Sequence, residues 1–329
     1  MKKTIEIMDT IFSKNENFDS IYLVGCGGSL AKNWHAKYFL ETNAKMLSVG
    51  YFTSNEFVHA TPRRVGKNTI VISSSHEGET AESAEALKIA ANLGATTIAV
   101  TINNESTLAK NAEYIVNYEW NEERDSYKDS SKPSDTHEMV ILKLAVEALK
   151  RIEGYEHYND FVKGVEIYNT ISKEARKTFK DQAEEMAQRH KNDKLIYTIA
   201  SGPSYGVAYT ETSCIFMEMQ WINSSAIHSG EYFHGPFEIT KRENAFILFK
   251  GVGNTRPLDQ RVHDFLIKKN DNFSVVDNKD FNMESLPATV RPFFDGLMHN
   301  YVIDVFSRRL AEVREHPLSK RRYMWKEKY

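Results

Sequence analysis

Short apolar runs alternate with amphipathic stretches along the chain, and that alternation predicts β-strands joined by helices. In the first half, strands are expected at Ile21–Gly25, Met46–Thr53, Thr69–Ser75, Thr96–Ile102 and Tyr114–Trp120. Helical spacing falls at Ser29–Thr42, Thr80–Leu93, Ser106–Ala112 and Glu138–Ile152, and the polar stretch Asn121–Asp135 reads as a loop. In the second half the strands are expected at Leu195–Ala200, Ala226–Ser229, Asn244–Lys250 and Phe273–Asp277. Helices are expected there at Ser204–Ile222, Leu258–Lys268 and Val290–Glu315. Strands separated by amphipathic helices build βαβ units around a parallel sheet. Between the halves, Asp160–Lys191 is helical with mixed charge, the pattern of a solvated connecting helix.

The two halves repeat. Ile21-Tyr-Leu-Val-Gly-Cys-Gly27-Gly-Ser29 aligns with Ile196-Tyr-Thr-Ile-Ala-Ser-Gly202-Pro-Ser204 at an offset of 175 residues. The same offset of 175 sets Thr69–Thr80 against Asn244–Thr255. Two motifs that keep one offset indicate tandem domains of one fold. The expected division is a first domain over 1–155, a helical linker over 156–192, a second domain over 193–315 and a tail over 316–329. Each domain is read as α/β, a doubly wound and mostly parallel sheet flanked by helices.

Composition narrows the partners. With 42 Lys and Arg against 45 Asp and Glu, the formal net charge is −3, which argues against nucleic acid and anionic membranes. The first residues, Met1-Lys-Lys-Thr-Ile-Glu-Ile-Met, lack the apolar run of a signal peptide or a membrane span. Cys26 and Cys214 fit neither a metal spacing nor a disulfide framework. A cytoplasmic, metal-free protein is expected.

Candidate chemistry gathers at the turns after strands. Gly25-Cys-Gly27-Gly28-Ser29 joins a strand to a helix start, where free N–H groups meet an anion. It is not a dinucleotide fingerprint, because Leu30 stands where the third glycine belongs and the second strand ends Gly50-Tyr-Phe-Thr53 without an acid. The turn Ser73-Ser-Ser75-His-Glu-Gly78-Glu-Thr80 offers neutral donors suited to a phosphate. Thr80 equally fits the cap of the following helix, with the serines as turn residues. In the second half, Ser75 is replaced by Lys250.

On the helix expected at Ser204–Ile222, Glu211 and Glu218 are seven residues apart and so share a face. Glu218 lies in the apolar run Cys214-Ile-Phe-Met-Glu-Met-Gln-Trp-Ile222, so it is either paired in the core or raised in pKa for proton transfer. The loop Ser229-Gly-Glu231-Tyr-Phe-His234-Gly-Pro236 stiffens the backbone that carries His234. A metal set of His228, Glu231 and His234 matches no standard ligand spacing.

The serine turns and the Glu218–His234–Gly–Pro block resemble the sugar isomerase (SIS) family of phosphosugar-binding proteins. Ile222–Thr240 and the tail Arg321-Arg-Tyr-Met-Trp-Lys326 resemble its bacterial fructosamine-6-phosphate deglycases, which cleave fructose-amino-acid 6-phosphates. The resemblance implies Glu218 and His234 as the acid/base pair and Gly28, Ser29, Ser73, Ser75 and Thr80 as the sugar-phosphate site. Glu231 and Lys326 are additional candidates, the lysine as a residue that closes over the site. It implies no cofactor, and a homodimer in which the histidine loop reaches the neighbour's site. Related isomerase domains carry a serine where this chain has Glu77, so that carboxylate is expected to face away from a phosphate. An aldose–ketose or aminosugar-phosphate isomerase and a non-catalytic phosphosugar sensor are the competing readings. The sensors that bind DNA carry a helix-turn-helix before the first strand, and only about twenty residues precede Ile21 here.

Overall fold

The structure, a computed structural model, describes residues 1–119 and 132–327. The end of the fifth expected strand at Trp120, most of the expected loop after it and the last two residues of the tail lie outside the described residues. The chain divides into two compact units, Met1–Glu166 and Ile167–Tyr329.

In the first unit, α1 (Lys2–Lys14) precedes β1 (Ser20–Gly25), α2 (Gly27–Asn43), β2 (Ser48–Thr53) and α3 (Ser54–His59). Then come β3 (Thr69–Ser74), α4 (Ala81–Asn92), β4 (Thr96–Val100), α5 (Thr107–Lys110), β5 (Tyr114–Val116) and α6 (His137–Ile152). The sheet order is β2-β1-β3-β4-β5, with every pair parallel. All six residues of β1 and of β3 are buried, as they must be in central strands covered by helices on both faces. Tyr22, Val24, Phe57, Val71, Leu87 and Leu108 form one of its cores. Two helices were not expected. α1 buries Thr4, Met8, Ile11 and Phe12, a helical stripe, and α3 is a short turn capped by Thr53.

α7 (Tyr158–Thr178) runs across the division, and the second unit continues with α8 (Lys180–His190), β6 (Leu195–Ala200), α9 (Tyr205–Thr210) and β7 (Asn223–His228). β8 (Ala245–Lys250), α10 (Arg256–Lys269), β9 (Phe273–Asp277) and α11 (Asp295–Val313) follow. The order is β7-β6-β8-β9, again all parallel. The connecting segment is not simply solvated. It forms two helices, and α8 buries Ala183, Met186, Ala187 and His190 and packs on α11.

The offset of 175 extends to the pairing itself. Ser20 pairs with Ser48 and Leu195 with Asn223; Ile21 pairs with Ile70 and Ile196 with Ala245. It slips by one residue only at the next strand, where Val71 pairs with Thr97 but Phe246 with Phe273. Strand β7 begins three residues earlier than Ala226, because Asn223-Ser-Ser is a polar edge whose apolar pattern is weak. In both sheets the order reverses beside the first strand. The reversal falls between β1 and β3, and likewise between β6 and β8, and the carboxyl ends of strands at such a switch point are where these sheets bind ligands.

Candidate active site

In the first unit the two expected turns lie at that switch point. Gly27 takes φ +51° as α2 begins, and Gly78 takes φ +73° within the turn after β3. A Cβ on Gly78 would come within 2.1 Å of Ser106 Oγ, so only glycine lets the backbone pass there. Ser74 ties the turns together, its hydroxyl 3.3 Å from the Ser29 carbonyl and 3.0 Å from Asn33 Oδ1. Ser75 and Thr80 join their hydroxyls at 2.9 Å, and Thr80 makes no side-chain cap to α4. The capping role open to Thr80 is therefore not taken up. Among the described residues, the backbone N–H groups of Glu77, Gly78, Glu79 and Thr80 find no acceptor. Gly28 and Ser29, in the first turn of α2, are partly exposed.

The five candidates of this unit differ in availability. Ser73 is fully buried and spends its hydroxyl on the Ser83 carbonyl at 3.4 Å. Ser75, Thr80, Ser29 and Gly28 line the turns themselves. Glu77 is exposed, with its carboxylate 3.6 Å from His76 Nε2, while His76 Nδ1 lies 2.6 Å from the Tyr118 hydroxyl. Tyr118 in turn stacks on His137 with ring centroids 4.4 Å apart. Beside the Glu77 and Glu79 carboxylates, the second of which accepts from the Thr107 hydroxyl, the turn offers neutral hydroxyls and backbone N–H groups ahead of α4, a setting for an oxyanion.

In the second unit, the helix expected over Ser204–Ile222 is broken into a 3-10 turn at Gly202–Ser204, α9 and a π-helix at Glu211–Met219. The Gln220 N–H reaches the Ile215 carbonyl at 2.8 Å, five residues back, and Trp221 ends the helix at φ +55°. The wider π turn undoes the expected sharing of one face by Glu211 and Glu218. Glu211 points inward to Ser307, 2.8 Å from its Oγ, and burial pushes its carboxyl up to about 8. Glu218 instead meets the tail, where Arg321 Nη2 lies 2.8 Å from its Oε1. Burial raises the Glu218 carboxyl above the usual range, and the Arg321 guanidinium opposes that rise.

The tail is built around this pair. Arg321 is 7% exposed and also donates to the Leu318 carbonyl at 2.6 Å. Lys326 donates to the Arg321 carbonyl at 2.6 Å, and the Trp325 ring lies 5.0 Å from the guanidinium. Trp221 forms a platform, with Arg322 at 4.3 Å, Lys320 at 5.1 Å and His316 at 4.6 Å from its ring. Sequence reading placed Arg321 in the tail without its partner. A carboxylate set in an apolar run needs a counter-charge, and that was the available signal.

His234 stands on a stiff loop. Its N–H reaches the Glu231 carbonyl at 2.9 Å, Gly235 follows at φ +131°, and the fully buried Tyr232 anchors the loop in the core with Val262 and Leu266. The His234 and Glu231 side chains are exposed, and no hydrogen bond or ion pair joins either to Glu218. Asp259, fully buried, binds Ser229 Oγ at 2.6 Å and Ser201 Oγ at 2.7 Å, which locks the start of this loop to the turn after β6. Sequence reading missed it. Among the described residues no three His, Cys, Asp or Glu side chains cluster to hold a metal, so His228, Glu231 and His234 form no such group. Among those residues, no helix is long and apolar enough to cross a membrane.

A SIS domain matches residues 16–130. The fructosamine deglycase FrlB of Bacillus subtilis (strain 168) is 36% identical over 316 residues, covering 96% of this chain and 94% of that protein. The chain belongs to the SIS-domain family. This SIS protein is also 25% identical to the fructoselysine 6-phosphate deglycase of Escherichia coli (strain K12), over 84% of this chain and 78% of the relative. A crystal structure from Salmonella typhimurium LT2, provisionally described as a phosphosugar isomerase, superposes with a TM-score of 0.96 at 41% identity. That match covers 100% of this chain and 96% of the other.

Proposed function

We propose that this SIS protein is a cofactor-independent deglycase that cleaves a fructose-amino-acid 6-phosphate to glucose 6-phosphate and the free amino acid. The observation that carries this reading is Glu218, a half-buried carboxylate held by Arg321, in a chain 36% identical to a fructosamine deglycase along 96% of its length. The first domain takes the 6-phosphate at Gly28, Ser29, Ser75 and Thr80, with Ser73 setting the turn behind them. The second domain supplies the acid/base groups.

His234 assists opening of the sugar ring by proton transfer. Glu218 removes a proton from C1, and the electrons of that C–H bond form a C1–C2 double bond. The C2 carbonyl π pair moves to its oxygen, which takes a proton to give the 1,2-enaminol. Return of a proton to C2 leaves the imine at C1, and water adds there to release the amino acid and the aldehyde of glucose 6-phosphate. Each step is a proton transfer or a hydration, so positioned acid and base groups suffice, worth roughly 100- to 10,000-fold each. Phosphate anchoring contributes orientation from a distance. Exposure of His234 on its stiff loop supports the expected homodimer, in which that loop serves a neighbour's site, and the reading places the enzyme in the cytoplasm.

Glu218→Gln should keep affinity for glucose 6-phosphate and lose turnover on fructose-amino-acid 6-phosphates, followed by a coupled dehydrogenase. Intact turnover in that variant removes Glu218 from the role. The description of the Salmonella relative as a phosphosugar isomerase favours an isomerase as second reading. Interconversion of hexose phosphates without release of amino acid from any adduct would establish it, and tight binding without either reaction would mark a sensor.

A further inference from the structure

Asp295 opens α11 with 1% exposure, and its carboxylate enters the turn that follows β8. The Val252 N–H lies 2.9 Å from Oδ1 and 3.0 Å from Oδ2, the Gly253 N–H donates to Oδ2 at 2.9 Å, and Asn278 Nδ2 donates to Oδ1 at 2.7 Å. Consecutive backbone N–H groups converging on one anion make a nest of the kind that holds phosphates. The turn is shaped for this guest. A Cβ on Gly251 would come within 2.5 Å of Oδ2, and one on Gly253 within 3.2 Å.

The offset of 175 maps Gly251, Val252 and Gly253 onto His76, Glu77 and Gly78 of the first unit. There the N–H groups of Glu77 and Gly78 have no acceptor among the described residues, and an imidazole stands where the second unit has Gly251. The replacement of Ser75 by Lys250 does not restore an anion site. Lys250 is 4% exposed, with its amine 3.2 Å from Asp277 Oδ2 and 2.9 Å from Gln260 Oε1. Asp277 also takes both terminal nitrogens of Arg256 at 2.7 Å.

We propose that the second unit keeps the anion-binding turn of the repeat but fills it with its own Asp295 carboxylate, so that the turn braces β8 against α11 and takes no sugar phosphate. The chain then offers one phosphate site, in the first unit. That count rests on the deglycase reading; the filled turn does not. Removing the carboxylate reopens the turn to a small oxyanion.

The test compares thermal unfolding of the full-length protein and its Asp295→Ala variant in sodium chloride and in sodium formate at equal ionic strength. The variant should melt roughly 5–10 °C lower in chloride, the consequence of unpaired buried N–H groups. Formate should restore at least half of that loss with saturation and leave the wild type unmoved. An Asp295→Ala protein as stable as the wild type, or one that gains no more from formate than from chloride, overturns the proposal. Should that variant not fold, titration calorimetry of the wild type with inorganic phosphate decides. Two phosphates per chain overturn the proposal, and one phosphate, lost on Ser75→Ala, supports it. No phosphate at all also leaves the second turn filled, and counts instead against the site proposed in the first unit.

Discussion

Glu211 and Glu218 sit on one helix and meet opposite fates, which makes Glu211→Gln an informative perturbation. Glu211 is 4% exposed, and burial pushes its carboxyl from 4.5 up to about 8, so it is neutral in the folded protein at pH 7. The hydrogen bonds agree. The Ser307 hydroxyl has one proton but lies 2.8 Å from Glu211 Oε2 and 3.1 Å from the Ile303 carbonyl. A protonated Glu211 donates to Ser307, which frees the serine proton for the carbonyl. The unfolded chain ionises this group near its ordinary value, so the folded state binds more protons between the two values. Stability from this group is therefore present at low pH and falls as pH rises toward 8. At ~1.4 kcal/mol for each pH unit, the loss from pH 5.5 to 7.5 is about 3 kcal/mol. Glutamine has nearly the same shape, donates to Ser307 in the same way and does not titrate. Urea unfolding of both proteins at pH 5.5, 6.5 and 7.5 should show the variant gaining on the wild type by that amount. A difference that stays constant across the range would refute the account.

Arg321→Met removes the guanidinium that favours the Glu218 carboxylate, so the Glu218 carboxyl rises further. The acid limb of kcat/KM should then move to higher pH, and an unmoved limb would show that the pair does not set the base. Ser75→Ala combined with Thr80→Ala removes two neutral donors at about 1 kcal/mol each, which should raise KM by roughly 10- to 100-fold with a smaller change in kcat. An unchanged KM would take the phosphate away from this turn. Gly78→Ala places a Cβ 2.1 Å from Ser106 Oγ at φ +73°, so it should lower the melting temperature and weaken glucose 6-phosphate binding together. A loss of stability with full ligand affinity would show that the turn does not shape the site.

The repeat, the parallel sheets and the turns that carry the candidate residues follow from local pattern. Central strands such as β1 and β3 are buried on both faces, and their apolar runs Ile21–Val24 and Ile70–Ile72 announce them. The 175-residue offset, visible in two motifs, proved to govern strand register as well. Edge strand β7 starts ahead of its apolar pattern because an edge needs no such run. Other features depend on residues distant in sequence. Glu218 reads equally as a core ion pair or a raised acid until Arg321, 103 positions on, is found against it. Asp259 and Asp295 carry no motif, and their roles exist only where the turns of separate strands converge on a carboxylate. The π turn that separates Glu211 from Glu218 is likewise invisible to a helical count, since 3.6-residue periodicity assumes the hydrogen-bond pattern that it changes. Periodicity reports which face of an element is buried; which charges meet in the interior is decided by the packing that brings those faces together.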